Sequence, residues 1–371
     1  QYPSRTFPLE RFTSIAGHTA TEKLLAAGLL REEHGSAIFR HHLFHDDLAA
    51  RWLAAGDIER WSAKTFAALT FDANSFDVLA LALARIPQRD RADRFVLSVY
   101  DYNYYGTAYA LAEAARLGET AVDNDTRLAI VSMLAERRFD NMRLTVAQVE
   151  DALRLFDDPT TMELRNASSI GELLDAVDAK HISDPHICAW QRLFVAPPAS
   201  AAPAEAIAAL TAEDPLLGWT AANVLRRTIM DADQLAAVRS ALGEDTRSVV
   251  RWRAAHALGS QPEADSVGAL LEATRDSDDL VRYGAVRSLI DLAYTHRPLR
   301  ERILTQLILE ADRLSADPKP SLELERALQR VDANADWIAD ITPLVEALWA
   351  AAPTIERRER WRGVARDIVS N

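Results

Sequence analysis

The 371-residue chain is predicted to fold as an all-α superhelix of stacked helical hairpins, with a small helix-and-hairpin unit near its start. Apolar residues recur at helical spacing almost everywhere, as in LDAVDAK, ALLEATRD and LVRYGAVRSLIDLA, while sustained period-two alternation is scarce. Glycine is sparse, at 13 residues, and alanine is abundant, and both favour helix. The sequence also repeats itself. LGWTAANVL from Leu217 aligns with VRWRAAHAL from Val250 and with VRYGAVRSL from Val281, at offsets of 33 (250 − 217) and 31 (281 − 250). Each copy places a large aromatic, small residues and a leucine on a first helix. A second amphipathic helix follows after a turn, as in DQLAAVRSAL or SVGALLEAT. One such hairpin cannot bury its own apolar face, so the copies must stack.

In chain order, the first element read is LLAAGLLREEHGSAIFRH: a helix ending at Gly28, a short apolar pair, a polar turn, then Ile38 and Phe39 in alternation. This is the pattern of the last helix and hairpin of a winged helix, assigned to residues 1–57. Residues 58–195 read as helical but irregular, with fragments such as NDTRLAIVSMLAERRF suggesting decayed helix pairs. VAPPASAAPAEA, residues 195–206, reads as a seam, because proline bars helix continuation and the segment is long enough for a hinge or spacer. The repeat array is assigned to 205–371, with RERWRGVAR at 358–366 as a degenerate last repeat or cap.

A chain this long buries roughly three quarters of its unfolded surface and needs no staples. Cys188 is the single cysteine and cannot form an internal disulfide, which points to a reduced, cytoplasmic setting. No uncharged apolar run is long enough to cross a bilayer. A formal charge of −13 argues against a general nucleic-acid footprint, since phosphate binding rests on Lys and Arg, although a local basic face stays open. The first residue is Gln rather than Met, and the chain is expected to be a piece of a longer protein.

Asp245 precedes Arg251, and Asp276 precedes Arg282, by six residues in each case. This resembles HEAT repeats of the short, phycobilisome-lyase-like type, in which an aspartate and an arginine form a ladder between neighbouring repeats. The resemblance implies a structural role for Arg251 and Arg282. A ligand-binding role is the alternative, set against the usual fate of charge on solenoid faces, solvation or inter-repeat pairing.

The stretch FRHHLFHDDLAARWLAAG, residues 39–56, holds three of nine histidines. A metalloprotease helix needs H-E-x-x-H, and the position of the glutamate base is taken here by His42. His41 and His45 would share one helix face, as would His42 and Asp46, but no further ligand is indicated and no metal is assigned. Phe39, His41, Phe44, Leu48, Ala49 and Ala50 instead match the phrase F-x-H-x-x-F-x-E-[YF]-[LF]-A-A that closes the winged-helix subdomain of NACHT-type STAND ATPases, which it therefore resembles. Asp46 stands where Glu is usual and Asp47 where an aromatic is usual. The resemblance implies that His41 reaches the terminal phosphate of ADP bound to the parent protein and helps hold a closed state. An imidazole can do so by donating one N–H to a phosphate oxygen. A histidine that only packs the winged helix is the competing reading.

The resemblance does not extend to a catalytic core. A P-loop needs Gly-Lys, and Lys23, Lys64, Lys180 and Lys319 follow Glu22, Ala63, Ala179 and Pro318. The chain is therefore expected to be non-enzymatic and to hold no cofactor itself, with ATP/ADP implied for the parent. YDYNYYGTAY, residues 100–109, places Tyr100, Tyr102, Tyr104 and Tyr105 where rigid rings could anchor a partner, or fill grooves between helix pairs. HISDPHIC offers His181, Asp184, His186 and Cys188, without a second Cys/His knuckle. The leading expectation is the sensor and regulatory region of a NACHT-like signalling ATPase. The implied partners are a macromolecular trigger on the solenoid and an NTPase lobe in cis, the setting anti-phage defence, and the piece itself monomeric. The alternatives are a freestanding HEAT scaffold and a repeat-containing lyase or hydroxylase. The last would need metal- or chromophore-handling residues, and His256 is the single histidine on a repeat's first helix.

Overall fold

Helix dominates the computed structural model, which describes residues 6–70, 75–118, 120–139, 149–180, 193, 196–321, 324–325 and 335–370. HISDPHIC lies outside the described residues. The chain divides into two units, Gln1–Leu134 with Asp151–Asn166, and Ala135–Glu150 with Ala167–Asn371.

The first unit opens with β1 (Thr6–Pro8), α1 (Leu9–Ala16), α2 (His18–Ala26), β2 (Leu30–Glu33) and β3 (Ser36–Phe39). The strands form an antiparallel sheet in the order β1-β3-β2. Gly28 takes φ 69° just after α2. Glu33 pairs with Ser36 around a two-residue turn in which His34 and Gly35 have φ 49° and 75°, the doubly positive geometry of a tight hairpin. The helix and hairpin read from the sequence are thus present, and β1 and α1 add to them. Three residues of strand, TFP, are too few to show alternation.

Next come α3 (His42–Ala54), α4 (Ala63–Thr70), α5 (Asp77–Leu83), α6 (Arg89–Tyr102), α7 (Tyr104–Leu117) and α8 (Asn124–Glu136). Helix α3 packs on α5, α5 on α7, and α4 on α6. Phe66, Leu79, Leu83 and Phe95 are fully buried between them, with Phe95 edge-on to Phe66 at 5.7 Å and to Trp61 at 5.2 Å. Helix α9 (Pro159–Asn166) completes this unit.

The second unit runs through α10 (Ile170–Ala179), α11 (Glu205–Leu210), α12 (Pro215–Arg227), α13 (Ala232–Glu244), α14 (Ser248–Leu258) and α15 (Ala264–Ala273). It continues with α16 (Asp279–Thr295), α17 (Arg297–Leu309), α18 (Ala311–Ala316), α19 (Ala335–Ala351) and α20 (Ile355–Ser370). The first helices of successive hairpins, α12, α14 and α16, stack on one another, and α13 stacks on α15, which makes this an α-solenoid. Aspartates start these helices: Asp214 caps α12 ahead of Pro215, Asp231 closes a capping box with Gln234, and Asp278 accepts from Leu280 N. The proline-rich seam is tied down. Ala199 N donates to Arg227 O and Ala202 N to Ile229 O, both at 2.9 Å, and Ile229 N donates to Ser200 O at 2.8 Å.

Candidate functional site

His41 sits at the N-cap of α3, in extended backbone at φ −133° and ψ 132°. Its Nδ1 accepts from Leu43 N at 3.3 Å, so the neutral ring carries its proton on Nε2. The imidazole is exposed, stacked on His42 at 4.5 Å and edge-on to Phe44 at 6.4 Å. The helix start around it favours negative charge. His45 is the opposite case: it is buried, packed between Phe7 at 6.2 Å and Phe39 at 5.7 Å, and its Nδ1 lies 2.9 Å from Oδ1 of the buried Asp46. Of the two shared faces expected of a helix through this stretch, that of His41 with His45 does not form, and that of His42 with Asp46 runs from an exposed to a buried position. His41 lies outside the helix as its cap, and Asp46 is buried while His42 is exposed. Among the described residues, no group of three or more His, Cys, Asp or Glu is placed to hold a metal.

Along the solenoid, the arginines at the six-residue spacing join neighbouring repeats. Arg251 grips Asp276 with two bonds, Nε to Oδ2 at 2.7 Å and Nη2 to Oδ1 at 2.9 Å, and donates Nη1 back to Asp245 O at 2.9 Å. Arg282 repeats the move one hairpin later, from Nη1 to Asp276 O at 2.7 Å and from Nε to Asp317 Oδ2 at 2.5 Å. Asp276 is therefore a shared link. Burial raises its carboxyl pKa, and the bonds from Arg251 and from Asp278 N outweigh that and hold it below the usual range. Beside the ladder runs an aromatic column, Trp219 edge-on to Trp252 at 5.1 Å and Trp252 edge-on to Tyr283 at 6.2 Å. A Cβ at Gly284 would overlap the Trp252 indole, so the small residue in VRYGAVRSL makes room for the preceding repeat's ring.

A second polar network lies deeper, and the six-residue spacing does not announce it. Arg226 is 1% exposed and donates Nη1 to His256 O at 2.6 Å and Nη2 to Gly259 O at 3.1 Å, and it pairs with the buried Asp291. It thereby ties α12 to both α14 and α16. Arg227 pairs with the buried Glu136, and burial pulls its guanidinium down to about 10, still charged at neutral pH. Asn223 Nδ2 donates to Glu136 Oε2 at 3.0 Å, and its Oδ1 faces His256 Nε2 at 3.1 Å. The signal was in the alignment: Arg226 corresponds to Gly259 at the 33-residue offset, and the missing side chain at 259 is the space that Arg226 fills.

The tyrosine cluster is part interior and part surface. Tyr100 and Tyr102 are buried, and the Tyr102 hydroxyl lies 2.9 Å from Thr70 Oγ1. Tyr104 and Tyr105 are half-buried at the start of α7, with Tyr105 against Phe76 at 5.9 Å. Tyr109 donates to Asp77, and burial, then that carboxylate, push its phenol pKa up. Tyr100 and Tyr102 are thus interior residues, with Tyr102 filling the groove against Phe66 and Thr70 of α4.

Residues 203–295 match the family model of HEAT repeats. No curated protein matches the chain. The matched stretch coincides with the stacked hairpins from α11 to α16, with their arginine ladder and aromatic column, so this part of the chain is a HEAT-like helical scaffold of the kind commonly used for protein interaction.

Proposed function

We propose that this chain is the non-catalytic sensor and regulatory region of a STAND signalling ATPase of the NACHT-like group, with the solenoid recognising a protein or other macromolecular trigger. The observation that supports it is the joining of an exposed, N-capping His41, behind a strand-helix-helix-hairpin unit, to a HEAT-like array in one chain. A neutral imidazole with Nδ1 committed to its own helix has Nε2–H left to donate. At a helix start that donor would meet a terminal phosphate of ADP held by the parent's NTPase lobe. Trigger binding on the solenoid would release that closed state, and ATP-driven assembly would follow, in a cytoplasmic defence setting. A freestanding HEAT scaffold draws on the same match at 203–295.

Two measurements test the proposal. An open reading frame upstream of Gln1 that encodes a Gly-Lys P-loop supports the ATPase reading, and a start codon close by overturns it. In the intact parent, His41→Ala should speed ADP release about tenfold or more, the effect of losing one hydrogen bond to a charged group. Unchanged release removes His41 from the nucleotide site.

A further inference from the structure

A stack in which each hairpin meets only its neighbours can part at any one interface while the rest stand. The first helices α12, α14 and α16 carry a link that breaks this rule. Arg226, near the end of α12, reaches past α14 to pair with Asp291 of α16, 65 residues further on. On the way its Nη1 donates to His256 O at 2.6 Å and its Nη2 to Gly259 O at 3.1 Å. The missing side chain at 259 keeps the passage open: a Cβ there would overlap the guanidinium and come within 2.6 Å of Ser288 Oγ on α16. Further bonds close the same end of the three helices. Ser288 Oγ donates to Ala255 O at 2.9 Å, Gln261 Nε2 to Leu225 O at 3.2 Å, and Ser260 Oγ to Arg226 O. Arg226, Ser288 and Asp291 are all buried.

We propose that this buried link makes α12, α14 and α16 one rigid block, which opens and moves as a unit and carries a displacement of α16 through to α12. Parting α16 alone would strand the Arg226 guanidinium without its carboxylate in a dry site, and separating a buried pair in that way is costly. Parting α12 alone strands Asp291 likewise. Neither outer helix can therefore leave without the other, and α14 lies between them, bonded to both. The α12 end of the block grips Glu136, the last residue of α8: Arg227 pairs with it, and Asn223 Nδ2 donates to its Oε2 at 3.0 Å. Movement of the block is thus delivered to that residue. Links beyond α16 join immediate neighbours through more exposed groups, as where Arg275, 56% exposed, pairs with Glu310, and Arg300 with Asp340, 45% exposed. Exposed pairs hold weakly, so bending falls beyond the block. The block is a property of the array and does not depend on the ATPase reading.

Hydrogen exchange of the full chain, followed by mass spectrometry across a series of sub-denaturing urea concentrations, reads the block directly. The slowest amides of α12, α14 and α16 should share one rate and one urea dependence, while those of α19 exchange at least about tenfold faster. That comparison needs no variant. Arg226→Met with Asp291→Leu removes the link but leaves an apolar pair in its place, and should split the shared rate, with α16 exchanging at least about tenfold faster than α12. Arg251→Gln with Asp276→Asn, which breaks a bond between neighbours only, should leave the shared rate unsplit. In a Cys188→Ser background, spin labels at Glu213→Cys and Thr295→Cys should give a narrow distance distribution that broadens when Arg226 and Asp291 are replaced. Separate rates for the three helices of the wild-type chain, or a rate in α19 equal to theirs, overturn the proposal. A shared rate that survives the loss of Arg226 and Asp291 overturns it as well.

Discussion

Arg226 shows how one residue can govern three repeats. Its guanidinium is buried among the carbonyls of His256 and Gly259 and the carboxylate of Asp291, and a Cβ at Gly259 would overlap it. Arg226→Met keeps most of the volume but takes the guanidinium away from a buried carboxylate, at an expected cost of about 3 kcal/mol in urea unfolding. Changing Asp291→Leu in the same chain should recover most of that loss, since a buried pair replaced by apolar groups is often neutral. Gly259→Ala should cost about 1–3 kcal/mol by overpacking. If Gly259→Ala unfolds like the wild-type chain, the close approach is wrong. Legibility at this scale was uneven. Arg251 and Arg282 declared themselves because their aspartates recur with them, whereas Arg226 occurs once in the aligned positions and shows itself only through the small residue, Gly259, one offset later.

At the scale of elements, the bonds between repeats set an acid limit on the array. The Asp276 carboxyl is held below its usual range by Arg251, so it supplies stability that is fully present above the unfolded-state pKa of about 3.9 and is lost as pH falls through the lower folded value. A double-mutant cycle of Arg251→Gln with Asp276→Asn should give a coupling of about 1 kcal/mol at pH 7, moderated by solvent at the edge of the pair. The coupling should fade as pH drops through the lowered folded-state value, where the carboxyl binds a proton in the folded and unfolded chain alike. A coupling that persists in acid would mean that packing, not charge, joins the rungs. Helix starts are fixed where an aspartate caps them, as at Asp214, Asp231 and Asp278, a signal the repeat alignment alone does not use. Helix α3 was legible as a helix but not in its orientation, because Leu43, Phe44, Leu48, Leu53 and the alanines between them spread apolar surface right round it and leave no single face to assign.

Over the whole molecule, the repeat period made the solenoid readable between Leu217 and Leu289, since stacking imposes the same aromatic, small residue and leucine on each first helix. Residues 58–195 lacked that signal because α4–α7 are packed by individual aromatics such as Phe66 and Phe95, each matched to its own neighbour rather than to a common template. The same contrast should set the pattern of local opening. In α12 every residue from Gly218 to Arg227 is buried, and α14 and α16 are covered along most of their length, while α13 buries Leu235, Val238 and Leu242. Helix α1 buries none of its residues and α2 buries Thr21. Amide exchange followed by mass spectrometry should therefore be slowest in α12, α14 and α16, intermediate in α13, and fastest in α1 and α2. The first and last groups should differ by at least about tenfold, or about 1.4 kcal/mol of opening free energy. Equal protection of α1 and α14 would show that burial in neighbouring helices does not control opening in this chain, and would leave the stacking of first helices without the stabilising role assigned to it.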